Sequence, residues 1–166
     1  MATLIIDQKE TKTQSKVTYQ VETWEQYYPE VWPLWQRHWL EVALSHAQIP
    51  LDPDVERYQA FADAGQLHIL SMRDGGKLVG YHVTICTGHL HYKSTLHGLV
   101  DLYYLLPAYR KGRAGIRLFQ EAERALRARG VVKLQTATKL HAHLDMSRLL
   151  AWLGYTNVEK VYSKLL

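Results

Sequence analysis

Apolar and polar positions along the chain change their period several times, and each change marks an element. "KVTYQVE" (16–22) alternates, as a strand with one buried face does. "WEQYYPEVWPLWQRHWLEVALSHA" (24–47) repeats large apolar residues every three or four positions, the period of a helix. Thr23 and Gln26 have the form of a capping box at its start, and Pro29 and Pro33 should break or kink its first turns. "DPDVERYQAFADAG" (52–65) has an acidic start, Pro53 at the first helical position and a glycine stop, which predicts a short helix. "QLHILSMR" and "KLVGYHVTIC" flank "DGG" and predict a hairpin.

"GHLHYKSTLHG" (88–98) is a connector with strand-like ends. It leads to "LVDLYYLLP" (99–107), a run apolar on both faces and so a strand from the middle of a sheet. "GIRLFQEAERALRARG" (115–130) gathers Ile116, Leu118, Phe119, Ala122 and Leu126 on one side and closes at Gly130, which predicts an amphipathic helix. "VVKLQTAT" reads as a strand, "HAHLDMSRLLAWLG" as a helix ending at Gly154, and "YTNVEKVYSKLL" as a last strand. Residues 1–15 read as a polar N-terminal arm, and 16–166 as one domain without repeats or linker. The order β-α-α-β-β-β-α-β-α-β joins early strands by hairpins and later ones by helices. That predicts an α/β or α+β domain, a mixed sheet with helices on its faces.

Composition narrows the class. With 166 residues, 47% apolar and 22% charged, the chain can bury a substantial core. No apolar run reaches the length of a membrane span, and no basic-then-apolar leader opens the chain, so neither membrane nor export is expected. One cysteine, Cys86, excludes an internal disulfide framework and fits a reducing cytoplasm; in its strand-like run it reads as a core thiol. The net charge of +4 hides an asymmetry. Residues 1–105 hold 8 Lys/Arg and 12 Asp/Glu, whereas residues 106–166 hold 12 and 4. A basic second half suits an anionic partner: nucleic acid, a phosphorylated cofactor, or nothing more than solvent around a charged face.

The basic residues concentrate where "LVDLYYLLP" gives way to the helix. "YYLLPAYRKGRAGIRLFQEAE" places Arg110, Lys111 and Arg113 around Gly112 and Gly115 in a strand–turn–helix. The first turn of a helix has unpaired N–H groups and a positive dipole end, which favour a phosphate. Glycine lets a ligand approach the backbone, and arginine matches phosphate geometry. A phosphate cradle and a plain solvated helix start fit these residues equally well. Neither a P-loop nor a Rossmann fingerprint is present.

This segment resembles the acetyl-CoA-binding motif of the GNAT superfamily of N-acetyltransferases, a hydrophobic strand followed by [R/Q]-x-x-G-x-[G/A] at the opening of a helix. Arg110 matches its first position and Gly115 its last, while Arg113 stands at the middle glycine with Gly112 one place earlier. Either Gly112 becomes the flexible point of the turn, or Arg113 points outward to a phosphate. "LLAWLGYTNVEKVYSKLL" is similar to the family's closing helix, turn and strand. The form "PxYRxGRAGxRL" with "LHY" upstream looks most like bacteriophage members, which would place the protein in a host bacterial cytoplasm. The resemblance implies a mixed, mostly antiparallel central sheet flanked by helices, with acetyl-CoA as acetyl donor. It implies pyrophosphate on the N–H groups of Lys111, Gly112, Arg113, Ala114, Gly115 and Ile116, with Arg110 beside them. It also implies pantetheine against a splayed strand at Tyr104, Leu105 and Leu106. The acceptor is an amine, on a small molecule or a protein. The resemblance argues against nucleic acid as partner. The alternative within the same fold is a module that binds an acyl-CoA or a protein without turnover.

For the chemistry, Asp101 is the sole carboxylate between Asp74 and Glu121 and lies nine residues before Arg110, a spacing at which some GNATs carry their proposed base. Simple alternation puts Leu99, Tyr103 and Leu105 on its face. Such apolar and aromatic neighbours disfavour a charged carboxylate, which suits a base working near neutrality. A structural pairing with a histidine or arginine is the other reading. The family's usual acid, a tyrosine in the last helix, is replaced here by Leu150, and the usual asparagine before it by His143. Tyr103, Tyr104, Tyr155 and His143 are the candidate substitutes, although a thiolate can leave without a dedicated acid. His89 and His91 share a strand-like face but lack supporting ligand spacing, so a polar rim to the acceptor pocket, with Tyr92, is preferred over a metal site. Trp32, Trp35 and Trp39 follow helical spacing and read as a packed face or pocket wall, with the first helical region a candidate dimer contact.

Overall fold

The computed structural model describes residues 17–140 and 145–166. The expected arm (1–15), His141 and His143 lie outside these residues. Strand β1 (Val17–Glu22) is followed by helices α1 (Trp24–Val42) and α2 (Val55–Asp63), then strands β2 (Leu67–Asp74), β3 (Lys77–His89) and β4 (Tyr92–Leu105). A 3-10 turn (Pro107–Tyr109) leads to α3 (Ala114–Ala128), β5 (Val131–Gln135) and α4 (Ser147–Trp152). The sheet order is β1-β2-β3-β4-β5. All pairs are antiparallel except β4–β5, which is parallel. This is the mixed, mostly antiparallel sheet flanked by helices that was expected, and the elements keep the expected order through α4.

Several local expectations needed correction. The capping box at α1 forms, with Thr23 and Gln26 each accepting from the other's backbone N–H. Pro29 and Pro33 do not break α1, which runs unbroken for 19 residues. Both lie on its exposed side, while Trp24, Tyr27, Val31, Leu34 and Trp35 are buried on the other. Each internal proline costs about 3 kcal/mol, but each fully buried large side chain contributes about 1.5–3 kcal/mol in return. Helix α2 starts later than the sequence suggested: Asp54 is its N-cap, accepting from the Arg57 N–H at 2.9 Å, and Pro53 precedes the cap. The connector 88–98 is mostly strand, because β3 and β4 extend to a turn at Leu90–His91. The closing strand expected over Tyr155–Leu166 does not form a ladder; Val161, Tyr162 and Leu166 are exposed.

The sheet has an apolar cluster on each face. On one face, Trp24, Tyr27, Val31, Leu34 and Trp35 of α1 pack on Ile69, Leu78, Tyr81, Val83 and Tyr104. On the other, Leu118 and Ala122 of α3 pack on Leu70, Met72, Val79 and Leu105. A buried ion pair ties the edge strand in. Arg73 donates to both oxygens of Glu22, at 2.6 and 3.0 Å, and to Glu30 of α1 at 2.8 Å.

His68 and His82 are buried, each with its Nε2 lacking a hydrogen-bond partner. Burial lowers His68 to about 4 and His82 to about 3, so the fold excludes the protons that an unfolded histidine takes up near its ordinary value of 6.5. Their stabilisation is present above pH 6.5 and is lost as the pH falls toward those values, by up to about 1.4 kcal/mol per pH unit for each group. Thermal unfolding followed by circular dichroism should give a lower Tm at about pH 5 than at about pH 7, with His82→Gln flattening the difference.

Candidate functional site

The site is built on β4. Its register against β3 skips one residue: Val83 pairs with Leu102 and Thr84 with Val100, so Asp101 is the extra residue of a β-bulge. The bulge breaks the alternation on which the sequence reading relied. Tyr103 stands edge-on to Phe119 of α3, with ring centroids 5.1 Å apart, and Leu105 packs in the α3 cluster. Leu102 and Tyr104 pack on the α1 side, and Asp101 meets Tyr58 of α2 there. Tyr103 and Leu105 therefore do not share a face with Asp101. Nor is Asp101 enclosed by apolar groups: it is exposed, on the wall of a cleft.

The parallel ladder between β4 and β5 runs from Leu96–Val131 to Leu99–Gln135 and stops. From Val100 to Leu105, β4 stays paired to β3 but has no strand on its β5 side among the described residues. The split opens earlier than Tyr104, where the resemblance put it. The Tyr103 hydroxyl spans the split, donating to the Ala137 carbonyl at 2.9 Å. The opening is part of a cleft of about 2630 Å3, whose walls include Asp101, Tyr103, Tyr104, Arg110, Gly112 and Gly115. Of the other residues expected at the donor, Leu106 packs between the two cores and still donates its N–H to the Val79 carbonyl at 3.0 Å. Lys111 and Arg113 are exposed on the loop, and Ala114 and Ile116 are half-buried on the first turn of α3.

The arginine at the middle glycine position is accommodated simply. Gly112 takes a φ of +83°, the left-handed region that a side chain disfavours, and Arg113 is left with an ordinary φ of −101° as N-cap of α3. No side chain caps α3 and no acidic residue lies in its first turn. The helix opens with its N–H groups and dipole toward the loop, and with nothing anionic of its own there. A Cβ on Gly115 would meet only Leu105 Cδ2, at 3.8 Å.

Arg110 is engaged internally. Its Nε donates to the Leu105 carbonyl at 2.8 Å, its Nη atoms donate to both carboxylate oxygens of Glu41, and its guanidinium lies 5.2 Å from the Tyr104 ring centroid. Glu41 holds the Arg110 guanidinium firmly protonated. The last turn of α1 is thereby fastened to the end of β4. His38, one turn earlier, stacks on Tyr104 at 4.9 Å and shares a 2.8 Å hydrogen bond with the Tyr81 hydroxyl. Burial lowers His38 to about 4, so it is neutral at physiological pH.

Tyr58, Glu41 and His38 are the side chains that sequence reasoning missed. They sit on the core-facing stripes of α1 and α2, and no spacing marks them apart from packing residues. His91 and Tyr92, expected at the acceptor pocket, instead line a separate cavity of about 760 Å3 at the tip of the β3–β4 hairpin, with His97 and Lys133. That tip is about 30 Å along the strand from Asp101. The His91 N–H donates to His89 Nδ1 at 3.1 Å, with the rings 5.6 Å apart. Among the described residues no three His, Cys, Asp or Glu side chains are grouped to hold a metal, and no helix is long and apolar enough to cross a membrane. At the family's usual acid position, Leu150 is buried.

The site is thus a split strand facing an uncapped, glycine-turned helix start. The sequence profile described as the acetyltransferase (GNAT) family matches residues 21–155, and the chain belongs to that family. Solved structures share the fold at low identity. An aminoglycoside acetyltransferase from an uncultured soil metagenomic sample superposes with a TM-score of 0.71 at 9% identity, over 91% of this chain and 98% of that one. A ribosomal-protein-alanine N-acetyltransferase from Brucella melitensis biovar Abortus 2308 gives 0.65 at 16% identity, over 91% and 99%. A protein described as a predicted acetyltransferase from Clostridium acetobutylicum, solved with acetyl-CoA, gives 0.66 at 9% identity, over 90% and 96%. No curated protein matches the chain.

The Arg110–Glu41 pair is bidentate and partly shielded, with side-chain exposures of 35% and 17%. Glu41→Gln should cost about 1 kcal/mol, or about 2–4 °C in Tm for a domain of this size, read by thermal unfolding.

Proposed function

We propose that the protein is an acetyl-CoA-dependent N-acetyltransferase that moves an acetyl group to a primary amine by direct attack on the thioester. The observation that carries this reading is the continuity of one cleft from the uncapped start of α3, along the unpaired side of β4, to Asp101. Acetyl-CoA, when bound, supplies an acetyl group already activated as a thioester. The chain's residues fit it. The N–H groups of Lys111 to Ile116 and the α3 dipole suit the pyrophosphate, with Lys111 and Arg113 adding charge. The backbone of β4 from Val100 to Leu105 offers hydrogen bonds to an extended pantetheine arm, as a missing strand would.

Asp101 serves as the general base: its carboxylate takes a proton from the incoming amine nitrogen as that nitrogen bonds to the acetyl carbon. The carbon–sulfur bond then breaks, and the thiolate takes a proton from solvent, a thiol being acidic enough to leave without a dedicated acid. Tyr103, held by Ala137 across the split, is placed to orient the donor there rather than to act on the same face as Asp101. The second reading, a fold that binds acyl-CoA without turnover, is favoured by one observation, the buried Leu150 where the family carries its acid.

Two measurements separate these readings. Calorimetric titration should give micromolar binding of acetyl-CoA, weakened roughly tenfold or more by Gly115→Asp, whose carboxylate would share the first turn with phosphate. That variant should keep its fold, because the position has room and an acid suits a helix start. CoA release should then be followed with a polyamine, an aminoglycoside, a lysine peptide and a peptide with a free N-terminal alanine. Asp101→Asn should bind acetyl-CoA unchanged and lose about 10²–10⁴ in kcat. Binding without turnover on any amine would leave the second reading.

A further inference from the structure

Helix α2 carries no buried residue, yet one of its side chains reaches the bulge on β4. The Tyr58 hydroxyl donates to Asp101 Oδ2 at 2.5 Å. We infer that Tyr58 is a positioning residue for acetyl transfer, fixing the Asp101 carboxylate so that its second oxygen faces the incoming amine. The inference rests on the reading of Asp101 as the base.

Three observations support it. First, the Tyr58 ring cannot swing freely. It stacks on Trp24, with centroids 5.2 Å apart and planes 11° apart, and lies 5.6 Å from Trp35. Both tryptophans are buried in α1, so the phenol is anchored by the core on one side and presents its hydroxyl to β4 on the other. Second, the bulge residue needs such a partner. Asp101 is exposed, is the extra residue in its strand, and has no other side-chain hydrogen bond among the described residues. An exposed carboxylate without a partner samples several rotamers, whereas a base must hold one geometry at reacting distance. Third, the donor role is fixed. Burial and the Asp101 charge raise Tyr58 far above the ordinary phenol range, so its proton stays on oxygen throughout the working pH range.

The groups facing this pair from the packed elements are Tyr27 of α1 and Tyr81 of β3, with His38 of α1 bonded to Tyr81. Burial raises both phenols and lowers His38 to about 4, so none is charged at neutral pH. None of these neighbours brings a charge to the pair. Asp101 Oδ2 is occupied by Tyr58, and proton transfer from the amine falls to Oδ1.

The test compares wild type, Tyr58→Phe, Asp101→Asn and the double variant. Tyr58→Phe keeps the ring in its stack and removes only the hydroxyl. The substrate is whichever amine of the four-member panel gives the highest kcat/KM, assayed from about pH 5 to pH 9. Tyr58→Phe should lower kcat roughly 10- to 100-fold, the worth of one hydrogen bond to a charged group. Acetyl-CoA affinity should stay unchanged. KM for the amine should change little, because the hydroxyl orients the base and does not hold the substrate. Adding Asp101→Asn should cost no more than Asp101→Asn alone, because Tyr58 acts through Asp101.

A loss carried by KM with kcat unchanged, or losses that add in the double variant, would overturn the inference and leave the proposed reaction standing. A direct readout guards against a folding defect: the wild type should show a downfield hydroxyl proton resonance that Tyr58→Phe loses and Asp101→Asn, with a neutral acceptor, moves upfield, while the Tm of Tyr58→Phe stays within about 3 °C. If that resonance is absent in the wild type, the hydrogen bond does not exist in solution and the inference falls. If the resonance is present but no amine of the panel is acetylated, the reading of Asp101 as a base fails and takes the inference with it.

Discussion

Strand β4 carries one residue more than β3 can pair, and the site depends on how that surplus is placed. A sheet residue must point to one face or the other, and a bulge lets two successive residues point the same way. Here the surplus is Asp101. It turns a carboxylate toward α1 and α2 and leaves Tyr103 and Leu105 toward α3. Two residues earlier the same strand parts from β5, so its other edge is open just where the carboxylate appears. A strand paired evenly on both sides would have neither the cleft nor the exposed acid.

The remaining elements hold this irregularity in place. Helix α1 is fastened at its start by a capping box and through Glu30 to Arg73, and at its end by Glu41 to Arg110. Along its buried side, Trp24 and Trp35 flank Tyr58, and His38 lies on Tyr104. Helix α1 and the loop before α3 are thus parts of one packed body. Arg110 belongs to both, since its backbone opens the loop while its side chain closes α1 onto β4. A change at Glu41 is therefore felt on the loop as well as in the helix.

Much of this was legible in the chain. The capping box, the "DGG" hairpin, the amphipathic α3 and the Gly130 stop depend on contacts within a few residues, and they formed as the pattern predicted. The glycine-rich basic loop was legible for the same reason, because a strand–turn–helix writes its requirements locally. The misreadings had tertiary causes. Pro29 and Pro33 were outweighed by aromatic burial along α1, which only the sheet supplies. Alternation assigned Asp101 to the wrong face, because a bulge is a fact about two strands and leaves no mark on one. His91 and Tyr92 fell at a hairpin tip because β3 and β4 run on past the point where the pattern seemed to end.

The chain alone carried the fold class, the family and the basic, glycine-turned loop before α3, since these follow from periodicity and from short motifs. The tertiary structure decided which side chains surround Asp101 and Arg110. Tyr58 lies 43 residues from Asp101 in the chain and Glu41 lies 69 from Arg110, and nothing in their local context sets them apart from other polar or aromatic positions. Their roles exist only after two helices have packed on an irregular strand, because a hydrogen bond between distant residues is specified by the packing that brings them together.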